Sequence, residues 1–528
     1  MRRAFGAVAL GCLGLALVAC AASELPSRSA APSTAPERVW EYRVQASAGA
    51  RELKVSATLP PGAPAQLRLD RFADPFLRDL ELHTAAGWRP VSSQRSSEGM
   101  SWRVPECEAH GCQLRYRYLL AEAARQIDRY EYAAWRGGVL LAPPSTWLLH
   151  SREYAGSDRY RLYVDTPGLS FASGVWSSRR RDGSLEANAD VLFQAPYSGF
   201  GRFRQQRVQV PGGVIQLWVG LDAGELKLSP DELAAAVSDG AGLLSDYFGR
   251  FPVSELALIV VPVEGDDWFG MQLGNGGASI LLFLGRSATK IDPRHDWVLV
   301  HEMFHLGLPT LARRHLWLAE GLATYQEPLA RARAGFISER ALWREFLSGM
   351  PKGLPRAADG GLDGTRSWGR TYWGGALFFL LADLQIRSTS GQRHSLDDAI
   401  RGIVAAGGDT SVRWTVLQTL AAGDRAIGGR VLEELYGQHA ASAVAIDLEA
   451  LFRRLGVGWR GDEVVFDDAA EWAPLRRALT APPAALPSAS RPAPLPALPP
   501  AAVPALPSAA TSQGQSGLAS PGVPKSPL

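Results

Sequence analysis

His301-Glu302-Met303-Phe304-His305 sets two imidazoles four residues apart, with a carboxylate beside the first. On a helix such a pair projects from one face a turn apart, so both rings can reach one metal ion while Glu302 stands next to it without having to bind. Zinc hydrolysis uses this set: the ion acidifies a water and the glutamate takes its proton as general base. A five-residue pattern also arises by chance, so its setting matters. Asp292-Pro293 offers an N-cap and a proline for the first helical position. Trp297, Val298, Leu299, Val300 and Phe304 make the segment apolar almost all round, which predicts a buried helix.

A catalytic zinc needs a third ligand and one open position. Beyond His305, the run Leu316-Trp317-Leu318-Ala319-Glu320-Gly321-Leu322-Ala323-Thr324-Tyr325 carries one acid in an otherwise apolar helical stretch, with fourteen residues between His305 and Glu320. Burying a lone carboxylate is costly unless it meets a cation, and this selects Glu320. His315 is the rival ligand, but its neighbours Arg313 and Arg314 suit a solvated turn. The metzincin spacing fails, because Leu308 and Leu311 stand where Gly and His would be required.

The combination resembles the gluzincin metallopeptidases, and within them the glycyl aminopeptidase family, whose ligand glutamate sits in a W-x-x-E-G-x-x-x-Y context. Trp317, Glu320, Gly321 and Tyr325 match that pattern. The stretches Thr371 to Leu377, Leu381 to Arg387 and Ser395 to Asp398 resemble the family's downstream helices, and the likeness covers about 227–475. It implies one zinc ion held by His301, His305 and Glu320, with Glu302 as base and Tyr372 as donor to the developing oxyanion. It also implies a substrate-binding Gly-x-Met-Glu-Asn-like loop, matched here by Gly270, Met271 and Gln272 within a glycine-rich stretch from Asp266 to Ser279. Gln272 departs from the family's glutamate and offers no charge partner to a peptide amine, which weakens an aminopeptidase reading. Two plainer alternatives stay open: a glycine-rich turn with no substrate role, and a half-buried tyrosine at a helix start.

The elements that must position these groups read as an α+β multidomain chain. A β-sandwich-like domain spans 38–226, and a mainly helical, thermolysin-like catalytic domain spans 227–475. Period-two runs at Val39 to Val44, Leu53 to Leu59, Leu114 to Leu119, Tyr160 to Val164 and Val214 to Leu221 predict strands of the first. Ser229-Pro230-Asp231-Glu232 predicts a capping box opening a helix to about Tyr247, and Leu256 to Val263 and Ile280 to Leu284 predict strands. Residues 476–528 form a tail; from 481 onward it holds 13 of the 36 prolines and only Arg491 and Lys525 as charges, so it is expected to be disordered.

The 55 basic residues against 53 acidic ones give no bias toward nucleic acid. Residues 1–19 read as a signal peptide, and Leu17-Val18-Ala19-Cys20 resembles the lipobox of bacterial lipoproteins, implying lipid on Cys20 followed by a tether over 20–37. Ala21 lacks the aspartate associated with inner-membrane retention, so the expected location is the outer membrane, facing the periplasm. Cys107 and Cys112, with Gly111 between them, are expected to form a disulfide closing a hairpin tip. The alternative, a metal site with His110, lacks a local fourth ligand. The sequence therefore predicts a membrane-anchored zinc peptidase acting on peptides or proteins. The competing reading is a catalytically inactive lipoprotein that keeps the fold as an envelope scaffold.

Overall fold

The computed structural model describes residues 38–481, apart from 97–98, 152, 155–157, 178–181, 267, 295 and 357–358. The signal segment, Cys20, the tether and residues 482–528 of the tail lie outside the described residues. No helix among the described residues is long and apolar enough to cross a membrane.

The first part is built on a seven-stranded sheet. Its central strands, Val39–Ala46, Leu53–Leu59, Cys112–Tyr118 and Arg159–Asp165, alternate buried and exposed residues as their period-two pattern requires. Trp40, Tyr42, Val55, Tyr116 and Tyr160 face inward and share one core with Leu140 and Phe200, which belong to a four-stranded sheet. Tyr42 and Tyr116 pass their hydroxyl protons to the carbonyls of Leu149 and Trp147, so each buried phenol is satisfied. Cys107 and Cys112 are disulfide-bonded. The bond joins a short helix, Pro105–His110, to the strand that follows it, so it closes a helix-to-strand corner and not a hairpin tip.

The second part holds a five-stranded sheet backed by helices. The hairpin Phe203–Val210 and Gly213–Gly220, expected with the first domain, belongs to this sheet. Its second strand pairs in parallel with Glu255–Val263 over Val214 to Val219, which moves the strand break to near Arg202 in place of 226. Ala278–Gly285 follows in parallel, and Trp268–Gly274 closes the sheet as an antiparallel edge. The two central strands are apolar on both faces because both faces are covered. Leu256, Leu258, Val260, Ile280, Leu282 and Leu284 pack under the helices. Ile259, Val261, Leu281 and Phe283 meet Val139, Leu141 and Tyr197 of the first part.

The helix Pro230–Phe248 begins with the predicted capping box, Ser229 and Glu232 satisfying each other's backbone N–H groups. The final helix, Ala473–Thr480, runs past the expected domain end at 475. Leu475, Arg476 and Leu479 are buried there, and Arg476 donates to the carbonyls of Leu455 and Gly456.

Candidate active site

The motif lies on the helix Val298–Phe304, continued by a tighter turn over His305–Gly307. The helix starts later than Asp292-Pro293 suggests, because the carboxylate of Asp296 accepts the backbone N–H groups of Val298 (3.1 Å) and Leu299 (3.5 Å). Asp292 instead accepts from the Arg294 amide inside the preceding turn. Val298 to Phe304 are buried, while Trp297 stays 46% exposed and sets the edge of its indole against His301.

Glu320 sits in the first turns of the helix Leu316–Arg333. One of its oxygens, Oε2, lies 3.3 Å from His301 Nε2 and 3.6 Å from His305 Nε2. Ligands about 2.0–2.2 Å from a tetrahedral zinc lie roughly 3.3–3.5 Å from one another, so these three atoms fit a zinc ion. The His301 contact is also within hydrogen-bond reach, whereas 3.6 Å from His305 is longer than a direct bond of about 2.7–3.2 Å. Ligand atoms of His301, Glu302 and His305 also lie within 4.8 Å of one another. Glu320, whose single oxygen faces both rings, is the better third ligand, and Glu302 is left free beside the site.

What brings the ligand helix this close is the glycine after the ligand. A Cβ at Gly321 would strike the backbone of Gly375, so the two helices touch main chain to main chain only because neither residue has a side chain. Gly375 opens the helix Gly375–Thr389, directly after a π-type turn over Arg370–Gly374 that carries Tyr372. The Tyr372 ring stacks on His301 with 6.1 Å between centroids and 15° between planes, and Trp368 stacks on Tyr372 from the far side.

The edge strand forms the opposite wall. Residues 268–274, expected as a loop, are extended, and the turn comes afterwards at Asn275-Gly276-Gly277. Strand alternation puts Gly270 and Gln272 on the face toward the motif helix. Met271 projects the other way, against the Tyr197 hydroxyl, so its side chain is not at the site. A Cβ on Gly270 would lie 2.6 Å from Glu302 Cγ, so the strand can approach the base only as glycine. Gln272 donates its side-chain amide to Thr410 (2.7 Å), and its backbone N–H bonds to Glu302.

Burial pushes the Glu302 carboxyl up to about 7, the Glu320 charge adding to the rise and His305 opposing it. Burial would raise Glu320 as well, but the His305 charge and hydrogen bonds from both rings outweigh it and hold Glu320 far below the ordinary carboxylate range. Burial lowers His301, against the pull of Glu320. His305 is raised because Glu320 outweighs its burial. Tyr372 is raised by burial, then by the charge of Glu320 and a hydrogen bond to it, and remains a phenol at neutral pH.

Several positioning groups escaped the sequence reading. Arg331, on the ligand helix, donates to Glu327 and to the Pro293 carbonyl, both at 2.6 Å, tying that helix to the approach to the motif. Thr410 holds Gln272, and its backbone N–H bonds to the Leu306 carbonyl at the end of the motif helix. Tyr325 donates to the fully buried Asp383 (3.0 Å), which also pairs with Arg387. His315 is not solvated. It is 2% exposed and bonds to Asp363, which also receives protons from Trp317 and Tyr436. Of these, Tyr325 was visible in the motif match, and Asp296 left a trace as the aspartate directly before the apolar run.

No protein family profile and no curated protein matches the chain. Among solved structures, an aminopeptidase N family protein from Idiomarina loihiensis superposes with a TM-score of 0.60 at 16% identity, covering 79% of this chain and 78% of that one. A mutant of a two-domain M1 zinc metallopeptidase bound to L-tryptophan gives 0.49 at 17% identity, covering 78% and 95%. The chain shares the fold of the first.

Proposed function

We propose that the chain is a zinc-dependent peptidase. The observation that carries this is the convergence of one Glu320 oxygen on both imidazole nitrogens, at 3.3 and 3.6 Å, the spacing of ligands around one zinc ion. The aminopeptidase N fold and the matching W-x-x-E-G-x-x-x-Y residues support the same reading. Zinc held by His301, His305 and Glu320 would supply a Lewis acid for the scissile carbonyl and a more acidic water. Glu302, its carboxyl made more basic by burial, would accept a proton from the water and return it to the leaving nitrogen. The Tyr372 phenol donates to the carbonyl oxygen as negative charge develops there. The free side of the edge strand Trp268–Gly274 offers backbone groups on which an extended peptide adds as a further strand. Its alternating faces give Gly270 and Gln272, but not Met271, to that peptide's reacting bond.

The amide of Gln272, already donated to Thr410, supplies no anionic anchor for a substrate amine. A free amino terminus thus has no charged partner at Gln272, and the peptidase acts on peptide bonds with aminopeptidase cleavage among its activities. The Cys107–Cys112 disulfide fits an oxidising compartment, in keeping with an exported lipoprotein anchored through Cys20 at the outer membrane. An inactive scaffold has no use for Glu302, since a buried carboxyl beside Gly270 is costly to keep where an apolar side chain would pack without penalty.

The test is Glu302→Gln. The variant should hold zinc at the parent's stoichiometry, read by elemental analysis, and lose at least about 100-fold in hydrolysis of a mixed peptide library. A chelator should silence the parent. Equal turnover by variant and parent would rule out the assignment.

A further inference from the structure

We infer that the cleft carries a subsite for an anionic group of the peptide substrate, formed by Arg313, Arg314 and Arg366. The inference rests on the peptidase reading above for its substrate class. It stands on a cavity of about 460 Å³ at the start of the ligand helix, lined by these arginines together with Leu316, Trp317 and Thr371.

Three things set this cavity apart from an ordinary basic surface. The first is position. Leu316 lies four residues before Glu320 on one helix, hence on the same face and about 6 Å along the axis. Thr371 directly precedes Tyr372, whose ring covers His301. An extended peptide advances about 3.3 Å per residue, so the cavity is within reach of a group about two residues from the reacting bond.

The second is charge. All three arginines are exposed, and among the described residues none pairs with a carboxylate. The nearby acids are already engaged: Asp363 with His315, Trp317 and Tyr436, and Asp359 with Arg370 at 2.7 Å. Arg314 donates only to His315 Nε2. Like charges gathered in a cavity repel one another and raise the local concentration of an anion. Guanidinium forks also match a carboxylate bidentately.

The third is that the cavity offers an anion no competing carboxylate, its lining being the three arginines with Leu316, Trp317, Thr365 and Thr371. The anion is a carboxylate of the peptide, either an acidic side chain or a free C-terminus.

The experiment uses the zinc-loaded full chain and alanine-rich octapeptides carrying one Asp, or its Asn isostere, at each position in turn. Each is prepared as free acid and as C-terminal amide. Binding is read by calorimetry on the Glu302→Gln chain, which does not turn over, and kcat/KM is read on the parent. An anionic peptide should bind on the order of tenfold tighter than its neutral isostere. The Arg313→Gln, Arg366→Gln double variant should bring that ratio toward one, and the corresponding lysine pair should restore part of it. Preference that follows the Asp position identifies a side-chain carboxylate, and preference that follows acid over amide identifies the C-terminus. Equal binding of anionic and neutral peptides, or a ratio unmoved by the double variant, overturns the subsite. If the parent cleaves no peptide the peptidase reading fails, and the calorimetric ratio still decides on the subsite.

Discussion

Replacing Gly270 with alanine tests the geometry of the base without touching any ligand. The added Cβ would lie 2.6 Å from Glu302 Cγ, 3.0 Å from Val298 Cγ1 and 3.3 Å from Glu302 Cδ. Carbon atoms need about 3.5 Å or more, so Glu302 and the edge strand must separate by roughly 1 Å. Val298 is buried at the start of the motif helix and cannot give way, which leaves the strand or the glutamate to move. Either movement also lengthens the bond between the Gln272 amide and the Glu302 carboxylate. A misplacement of about 1 Å costs on the order of 100-fold in rate, while the overpacking costs about 1–3 kcal/mol of stability. Gly270→Ala should thus hold zinc as the parent does, unfold at a slightly lower urea concentration, and cleave the best library peptide about 100 times more slowly through kcat. Elemental analysis, a urea titration and steady-state kinetics on one preparation separate these quantities. Parent-like kcat would refute the argument, and so would a loss of activity that tracks a loss of zinc.

Gly321→Ala should act on stability and zinc together. Its Cβ meets the Gly375 backbone, which cannot rotate away, so a loss of about 3 kcal/mol and weakened zinc binding are expected in denaturant and metal titrations. Stability should also depend on pH through Asp296, Glu327 and Glu345, which share the Arg331 guanidinium. Burial is the chief cause that pushes Asp296 to about 7 and Glu327 to about 8, and it raises Glu345 as well. Between about pH 4, where these groups ionise in the unfolded chain, and about pH 8, the folded protein binds more protons than the unfolded one. Stability therefore falls as pH rises across that window and levels off above it. Glu345→Gln removes one competing carboxyl while keeping the Glu327–Arg331 pair, and should flatten the decline in urea midpoint against pH. An equally steep decline would show that the cluster is not its source.

The proposed zinc ligands were legible because each lies in a helix whose apolar pattern is strong and local. His301 and His305 need only helical spacing, and Glu320 stands out as one acid in an apolar run. The edge strand was not legible, since Gly270, Gly274 and Gly276 read as a loop when the packing against Glu302 is invisible. The hairpin up to Gly220 was recognised as strand, but its sheet was misassigned, because alternation fixes which face is buried and not which neighbour supplies the hydrogen bonds. His315 misled for a similar reason. The two arginines before it do reach solvent, but the ring that follows them turns inward to Asp363, a residue 48 positions away.

The two glycines explain why a short motif can hold a site between elements so far apart in sequence. Each ligand-bearing helix is fixed twice. The motif helix is capped by Asp296 and pressed on the edge strand at Gly270, while the ligand helix is locked to its neighbour at Gly321 and to the Pro293 carbonyl through Arg331. The Arg331 contact joins the two fixings, since Pro293 lies three residues before Asp296. A shift of the ligand helix along its axis would drag the cap of the motif helix with it, so the imidazoles and the Glu320 carboxylate move as one body. That relation takes close approach at two points, side chain to main chain at Gly270 and main chain to main chain at Gly321, and neither leaves room for a side chain beyond hydrogen. The separation of Glu320 Oε2 from both rings is thereby governed by backbone packing at Gly321 as well as by the glutamate's own rotamer.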